Sequence, residues 1–136
     1  MMGGWEMKRI FALILTSIAL LLAISSCIPL RKGELRLLYM EIQGSQRLRT
    51  NVQFWVRVNF EADGNPEIRR ACFYWTGDGP YCGEVKNIEY GPYAYFDVPV
   101  IARYGSSLLQ CYVEYLRGEK IEQSNGVSFP INVISP

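Results

Sequence analysis

The chain has 136 residues, 49% of them apolar and 20% charged, with a formal net charge of +1 and no histidine. That length suits one domain with a short appendage, and the missing histidine excludes Ser-His-Asp and Cys-His catalysis and histidine-bound metal centres. Taking away residues 1–26 removes Lys8, Arg9 and Glu6 and leaves twelve basic and twelve acidic residues, so no basic field remains to attract phosphates and no nucleic-acid partner is expected.

Residues 10–24 read IFALILTSIALLLAI, with only Thr16 and Ser17 polar, directly after Lys8-Arg9. The run is shorter than the ~20 residues that cross a bilayer comfortably. A basic start, a short apolar run and the small residues Ser25-Ser26 have the form of a secretory signal peptide over residues 1–26, helical in its apolar part. Met7 stands immediately before Lys8 and is an alternative start, since Glu6 is out of place in a basic leader.

The cleavage region Ile24-Ser25-Ser26-Cys27 resembles a bacterial lipobox: an aliphatic residue, two small residues, then cysteine. The resemblance implies that Cys27 takes a diacylglyceryl group on its thiol and becomes the first residue of the mature chain, its new amino group open to further acylation. Two or three acyl chains give stable membrane attachment where one does not. In enterobacteria-like systems an Asp after the cysteine marks inner-membrane retention; Ile28 at that position points to the outer membrane where there is one. Residues 27–34 then form the lipidated cysteine and a short tether, and residues 35–136 the exported domain.

From Leu35 onward the pattern is β. In Val52–Phe60, Val52, Phe54, Val56, Val58 and Phe60 share one face, and Gln53, Trp55, Arg57 and Asn59 share the other. That alternation is the mark of a half-buried antiparallel strand. Further strands are expected at Leu35–Ile42, Ala71–Trp75, Tyr93–Val98, Leu108–Leu116 and Val127–Val133, the last with Pro130 at a sheet edge or bulge. Turn signals separate them at Asp63-Gly64-Asn65-Pro66, Thr76–Pro80, Gly91-Pro92, Gly105-Ser106-Ser107 and Arg117-Gly118-Glu119. The expectation is an all-β domain of about seven strands in a two-sheet antiparallel sandwich. A long second strand, an aromatic third strand carrying Trp75, and Cys111–Tyr115 leading through Ser124-Asn125-Gly126 into a final strand resemble an immunoglobulin-like or fibronectin III-like sandwich. No cysteine stands on the 52–60 strand, so the usual inter-sheet pin of that family is missing.

With Cys27 lipidated, Cys72, Cys82 and Cys111 remain in an oxidising compartment, where a disulfide is expected. Cys72 and Cys82 lie symmetrically about Gly77, which places them opposite one another in a hairpin at a Cα separation of about 5.5 Å. If Phe73 and Trp75 face the core, Cys72 faces out, while Cys111 shares the inward side with Leu109 and Val113. This parity favours Cys72–Cys82 with Cys111 a buried thiol; the pairings Cys72–Cys111 and Cys82–Cys111 stay open.

Glu61, Asp63 and Asp78 sit at turns, and calcium would need about six to eight oxygens, so they read as solvated turn residues. Ser106, Ser107 and Ser124 have no histidine base, and nothing marks Lys86 or Lys120 as a partner. No cofactor or metal is expected. The tyrosines are more numerous than one small core can hide, and Trp55, Tyr74 and Tyr112 are the candidates for a binding surface. The expected function is a membrane-anchored envelope lipoprotein, non-catalytic, that binds or scaffolds an envelope protein or glycan. The alternatives are a structural subunit of an envelope complex, or a hydrolase of envelope glycans using a carboxylate pair drawn from Glu84, Glu89 and Asp97.

Overall fold

The computed structural model describes residues 28–44, 48–76, 78–103 and 108–134. The expected signal peptide and Cys27 lie outside the described residues, as do Gly77, Tyr104 and Gly105–Ser107. The described chain is all-β, with eleven strands: β1 (Leu35–Gln43), β2 (Leu48–Arg49), β3 (Gln53–Ala62), β4 (Ile68–Trp75), β5 (Asp78–Gly83), β6 (Lys86–Glu89), β7 (Ala94–Ile101), β8 (Leu108–Arg117), β9 (Lys120–Gln123), β10 (Val127–Pro130) and β11 (Val133–Ile134).

Two antiparallel sheets share one core in a sandwich-like arrangement. The first has the order β1-β3-β7-β6, and the second the order β10-β8-β4-β5, with β9 also on β8. Alternation makes the core. On β3, Phe54, Val56, Val58 and Phe60 are buried; on β7, Phe96, Val98 and Val100; on β4, Ala71, Phe73 and Trp75; and on β8, Leu109, Cys111, Val113 and Tyr115. Burying a side chain such as Val or Phe stabilises the fold by about 1.5–3 kcal/mol. Phe54 meets Trp75 edge to face across the two sheets, with ring centroids 6.1 Å apart.

The strands expected at 35–42, 52–60, 71–75, 93–98 and 108–116 correspond to β1, β3, β4, β7 and β8. Beyond the expected set, β2, β6 and β9 are further short strands, and two arrangements differ from the expectation. The run 127–133 breaks after Pro130: β10 pairs with β8 at the sheet edge, and β11 pairs in parallel with β2. The second is β5, whose first three residues, Asp78–Pro80, the sequence reads as turn. It pairs with β4 through Trp75↔Asp78, then shifts register by one residue to reach Phe73↔Tyr81 and Cys72↔Cys82. Gly79 lies in this irregularity at φ +131, where an added Cβ would come within 2.9 Å of the Phe73 carbonyl oxygen. From Gly83 the chain crosses through Glu84-Val85 to β6, on the first sheet.

Three prolines stand at open strand edges. Pro80 lies in β5, which pairs only with β4, and Pro130 ends the edge strand β10. Pro99 lies on β7 opposite Trp55 of β3, beyond the Lys86↔Asp97 pair where β6 begins. None of the three has an N–H to offer a further ladder.

Candidate functional site

On the second sheet, alternation turns Arg70, Cys72 and Tyr74 of β4, and Gln110, Tyr112 and Glu114 of β8, away from the core. Register sets Arg70 opposite Glu114, Cys72 opposite Tyr112 and Tyr74 opposite Gln110. Tyr74 and Tyr112 are therefore diagonal neighbours, close enough for aromatic side chains to meet. Their ring centroids are 5.5 Å apart and the planes are inclined by 33°. Arg70 grips Glu114 with two bonds, Nε donating to Oε2 at 2.8 Å and Nη2 to Oε1 at 3.0 Å. That guanidinium holds the Glu114 carboxyl below the usual carboxylate range. The neighbouring Tyr74, then burial, holds the Tyr112 phenol above its ordinary value.

Cys72 and Cys82 form a disulfide on this face, with Cα atoms 4.0 Å apart. This is the pairing that strand parity favours. Cys72 is fully buried although it faces outward, set between Tyr112 on one side and Cys82 on the other. Cys111 is a free, buried thiol, and burial pushes its pKa up. Beside the tyrosine pair, where β9 and β10 run along the same edge of β8 with a break between them, lies a cleft of about 240 Å³. Tyr74, Gln110, Tyr112, Gln123, Val127 and Ser128 line it.

Trp55 occupies the opposite side of the molecule. It projects from the outer face of the first sheet, 38% exposed, beside an open cleft of about 340 Å³ with Gln43, Arg49, Val52 and Gln53. The three aromatic residues singled out in the sequence thus form one pair and one separate residue. They do not make a single surface.

Sequence reasoning missed the polar cluster at the centre of that first face. Asp97 is buried, and Arg57 donates to it from Nε at 2.9 Å and Nη2 at 3.2 Å. Asn87 Nδ2 adds a third bond at 3.2 Å, and the Arg57 guanidinium lies 3.9 Å from the centre of the Tyr95 ring. The Gln43 carboxamide oxygen, turned toward Arg57, accepts from Nε at 2.8 Å. Arg57 first, with Asn87 assisting, holds the Asp97 carboxyl below its ordinary value. The signal for the pair was the outward position of Arg57 and Asp97 on their strands. Their meeting depends on the β3–β7 register, which the sequence does not print.

Several of the remaining candidates have structural partners. Asp63 Oδ2 accepts from the Gly33 N–H at 2.8 Å, Asp78 accepts from the Tyr81 hydroxyl at 2.7 Å, and Glu61 and Glu84 pair with Arg36 and Lys86. Ser124 Oγ accepts from the Val113 N–H at 2.9 Å. Among the described residues no group of three or more acidic, cysteine or histidine side chains is placed to hold a metal ion.

No protein-family model matches this chain, and no curated protein matches its sequence.

The last element of the site is the segment that leads into β1. It lies against the end of the sandwich where β3, β8 and their turns meet. Arg36 Nη1 donates to the Ile28 carbonyl at 2.8 Å and Arg117 Nε to the Lys32 carbonyl at 2.9 Å. Gly33 bonds Asp63, whose own N–H donates to the Glu34 carbonyl at 2.9 Å.

Proposed function

We propose that this chain is an envelope lipoprotein, anchored in a membrane through Cys27, whose exported part is an immunoglobulin-like sandwich acting as a non-catalytic binding or scaffolding module. The anchor rests on the lipobox-like Ile24–Cys27 and the apolar leader before it. The strand orders β1-β3-β7-β6 and β10-β8-β4-β5 support the immunoglobulin-like reading, because they parallel the A-B-E-D and G-F-C sheets of that architecture. β5 takes the place of an added strand beside the third.

The observation that carries the binding role is the Tyr74–Tyr112 pair on the β4–β8 face. Two tyrosines held side by side, backed by a disulfide and beside a cleft, present amphipathic area whose ordering cost has already been met in folding. A protein segment or a glycan of the envelope fits that chemistry. A hydrolase would need one carboxyl held above its ordinary pKa to act as an acid. The shifted carboxyls here, Glu34, Asp97 and Glu114, are all held below theirs.

Two measurements test the proposal. The intact mass of the chain processed in a bacterial host should fit a start at Cys27 plus a diacylglyceryl group; an unmodified mass would refute the anchor. A photo-cross-linking residue at Gln110 or Ser128 should give a defined envelope adduct that is lost when Tyr74 and Tyr112 are both changed to Ala. Identical adducts with and without the tyrosines would refute the binding face.

A further inference from the structure

We infer that the tethered end of the sandwich rests directly on the membrane and that Tyr93 makes a second contact with the lipid headgroup region. The inference builds on the proposed lipid at Cys27.

Chain length fixes the geometry. Consecutive Cα atoms are about 3.8 Å apart, so Cys27 lies one such step from Ile28, whose carbonyl Arg36 holds at 2.8 Å. The bonds from Arg117 to Lys32 and from Gly33 to Asp63 fix the rest of the segment to the same end. No slack is left for a lipidated Cys27 to lower the domain on a flexible leash.

Register shows what else lies at that end. Leu35 pairs with Ala62, and Ala94 pairs with Phe60, so β1 and β7 both begin where β3 finishes. The Tyr90 hydroxyl donates to the Pro66 carbonyl at 2.6 Å, and the Leu116 N–H donates to the Glu67 carbonyl. The β3–β4 loop, the β6–β7 turn and the end of β8 therefore flank the tether. In the β6–β7 turn, Tyr93 is 89% exposed. Tyrosine has the apolar body and polar tip that favour the headgroup region. Trp55 and Trp75 lie toward the other end. Each is seven residues along its strand from the tethered end, about 24 Å at the usual strand rise.

The test uses the full chain, processed and purified from a bacterial host, its mass checked for lipid, and reconstituted in phosphatidylcholine–phosphatidylglycerol vesicles with or without brominated acyl chains. The variant is Tyr93→Trp, at a position too exposed to disturb the core. The emission added by this tryptophan should be lost in brominated vesicles, while that of Trp55 and Trp75 stays the same in both. A lipidated chain with unchanged Tyr93→Trp emission, or with Trp55 quenched in its place, would overturn the orientation alone. A chain without lipid would overturn the anchor and the orientation together.

Discussion

Asn125 exchanges two hydrogen bonds with the backbone of Leu37: its Oδ1 accepts from the Leu37 N–H at 2.8 Å, and its Nδ2 donates to the Leu37 carbonyl at 2.9 Å. The carboxamide imitates a strand partner. It does so between the two sheets, where β1 carries a bulge after Leu37 and the chain passes from β9 to β10. β1 is the edge of its sheet, so no strand lies beyond Leu37 to bond its outward backbone groups, and Asn125 satisfies them.

Asn125→Ala should therefore leave two partly buried backbone groups without partners and destabilise the domain by about 1–3 kcal/mol. Asn125→Asp keeps the acceptor for the Leu37 N–H and loses the donor, so its loss should be smaller. Urea unfolding midpoints at neutral pH would rank the three proteins. Equal midpoints would show that water serves Leu37 as well as the side chain does.

The disulfide closes a short loop, its cysteines ten residues apart in sequence. In the chain-entropy model, Cys82→Ser should cost about 2–3 kcal/mol. Cys111 faces the core with its pKa raised, so it should resist thiol reagents in the folded protein and react once the domain is unfolded. A thiol titration of the chain from Ile28 onward, which leaves out Cys27, with and without denaturant, checks this; rapid labelling under native conditions would contradict it.

Asp97 should contribute to the acid limb of the stability profile. Its folded-state pKa is depressed, chiefly by Arg57. The unfolded chain thus takes up protons first as pH falls, and stability declines below the unfolded value of about 3.9 as the folded pKa is approached. Glu34 and Glu114 act in the same direction from more exposed positions. Asp97→Asn should be less stable at pH 7, by about 2–3 kcal/mol after allowing for the part-exposed Arg57, and should lose less on acidification. Thermal melts across acid pH would show parallel curves if Asp97 did not contribute.

Gly79→Ala should disturb the Tyr74 face without touching the core. The new methyl group would press on the Phe73 carbonyl and the Tyr74 backbone, and φ +131 is itself unfavourable for alanine. A loss of about 1–3 kcal/mol is expected, with the Tyr74–Tyr112 contact broken. Near-ultraviolet circular dichroism reports the tyrosines, and an unchanged tyrosine signal would mean the irregularity absorbs the methyl group.

The β3 strand was legible because Phe54, Val56, Val58 and Phe60 alternate strictly with Gln53, Trp55, Arg57 and Asn59, three of them polar, and a single buried face sets such a pattern. The cysteine pairing was legible for a subtler reason. The tip of the β4–β5 hairpin is centred between residues 76 and 77, whereas Cys72 and Cys82 are centred on Gly77 itself. One extra residue in β5 reconciles the two, so symmetric spacing gave the correct partner through a turn of different register. What could not be read were contacts fixed by register between distant strands: Arg57 with Asp97, Asn125 with Leu37, and Tyr74 with Tyr112 as a touching pair. Each member is an ordinary outward polar or aromatic residue until its neighbour is known. Likewise β5, built from Asp-Gly-Pro-Tyr-Cys-Gly, has the composition of a turn and becomes a strand because β4 offers it a ladder.

The prolines at positions 80, 99 and 130 bear on how copies of this protein behave together. Sheet edges are templates for further strands, and copies confined to a surface meet far more often than copies in solution. For a chain held at a membrane, as proposed, an inviting edge would zip neighbours into sheets. Each of these three edges carries a residue that cannot donate the next bond. At these three places a neighbouring copy finds no donor with which to extend the sheet.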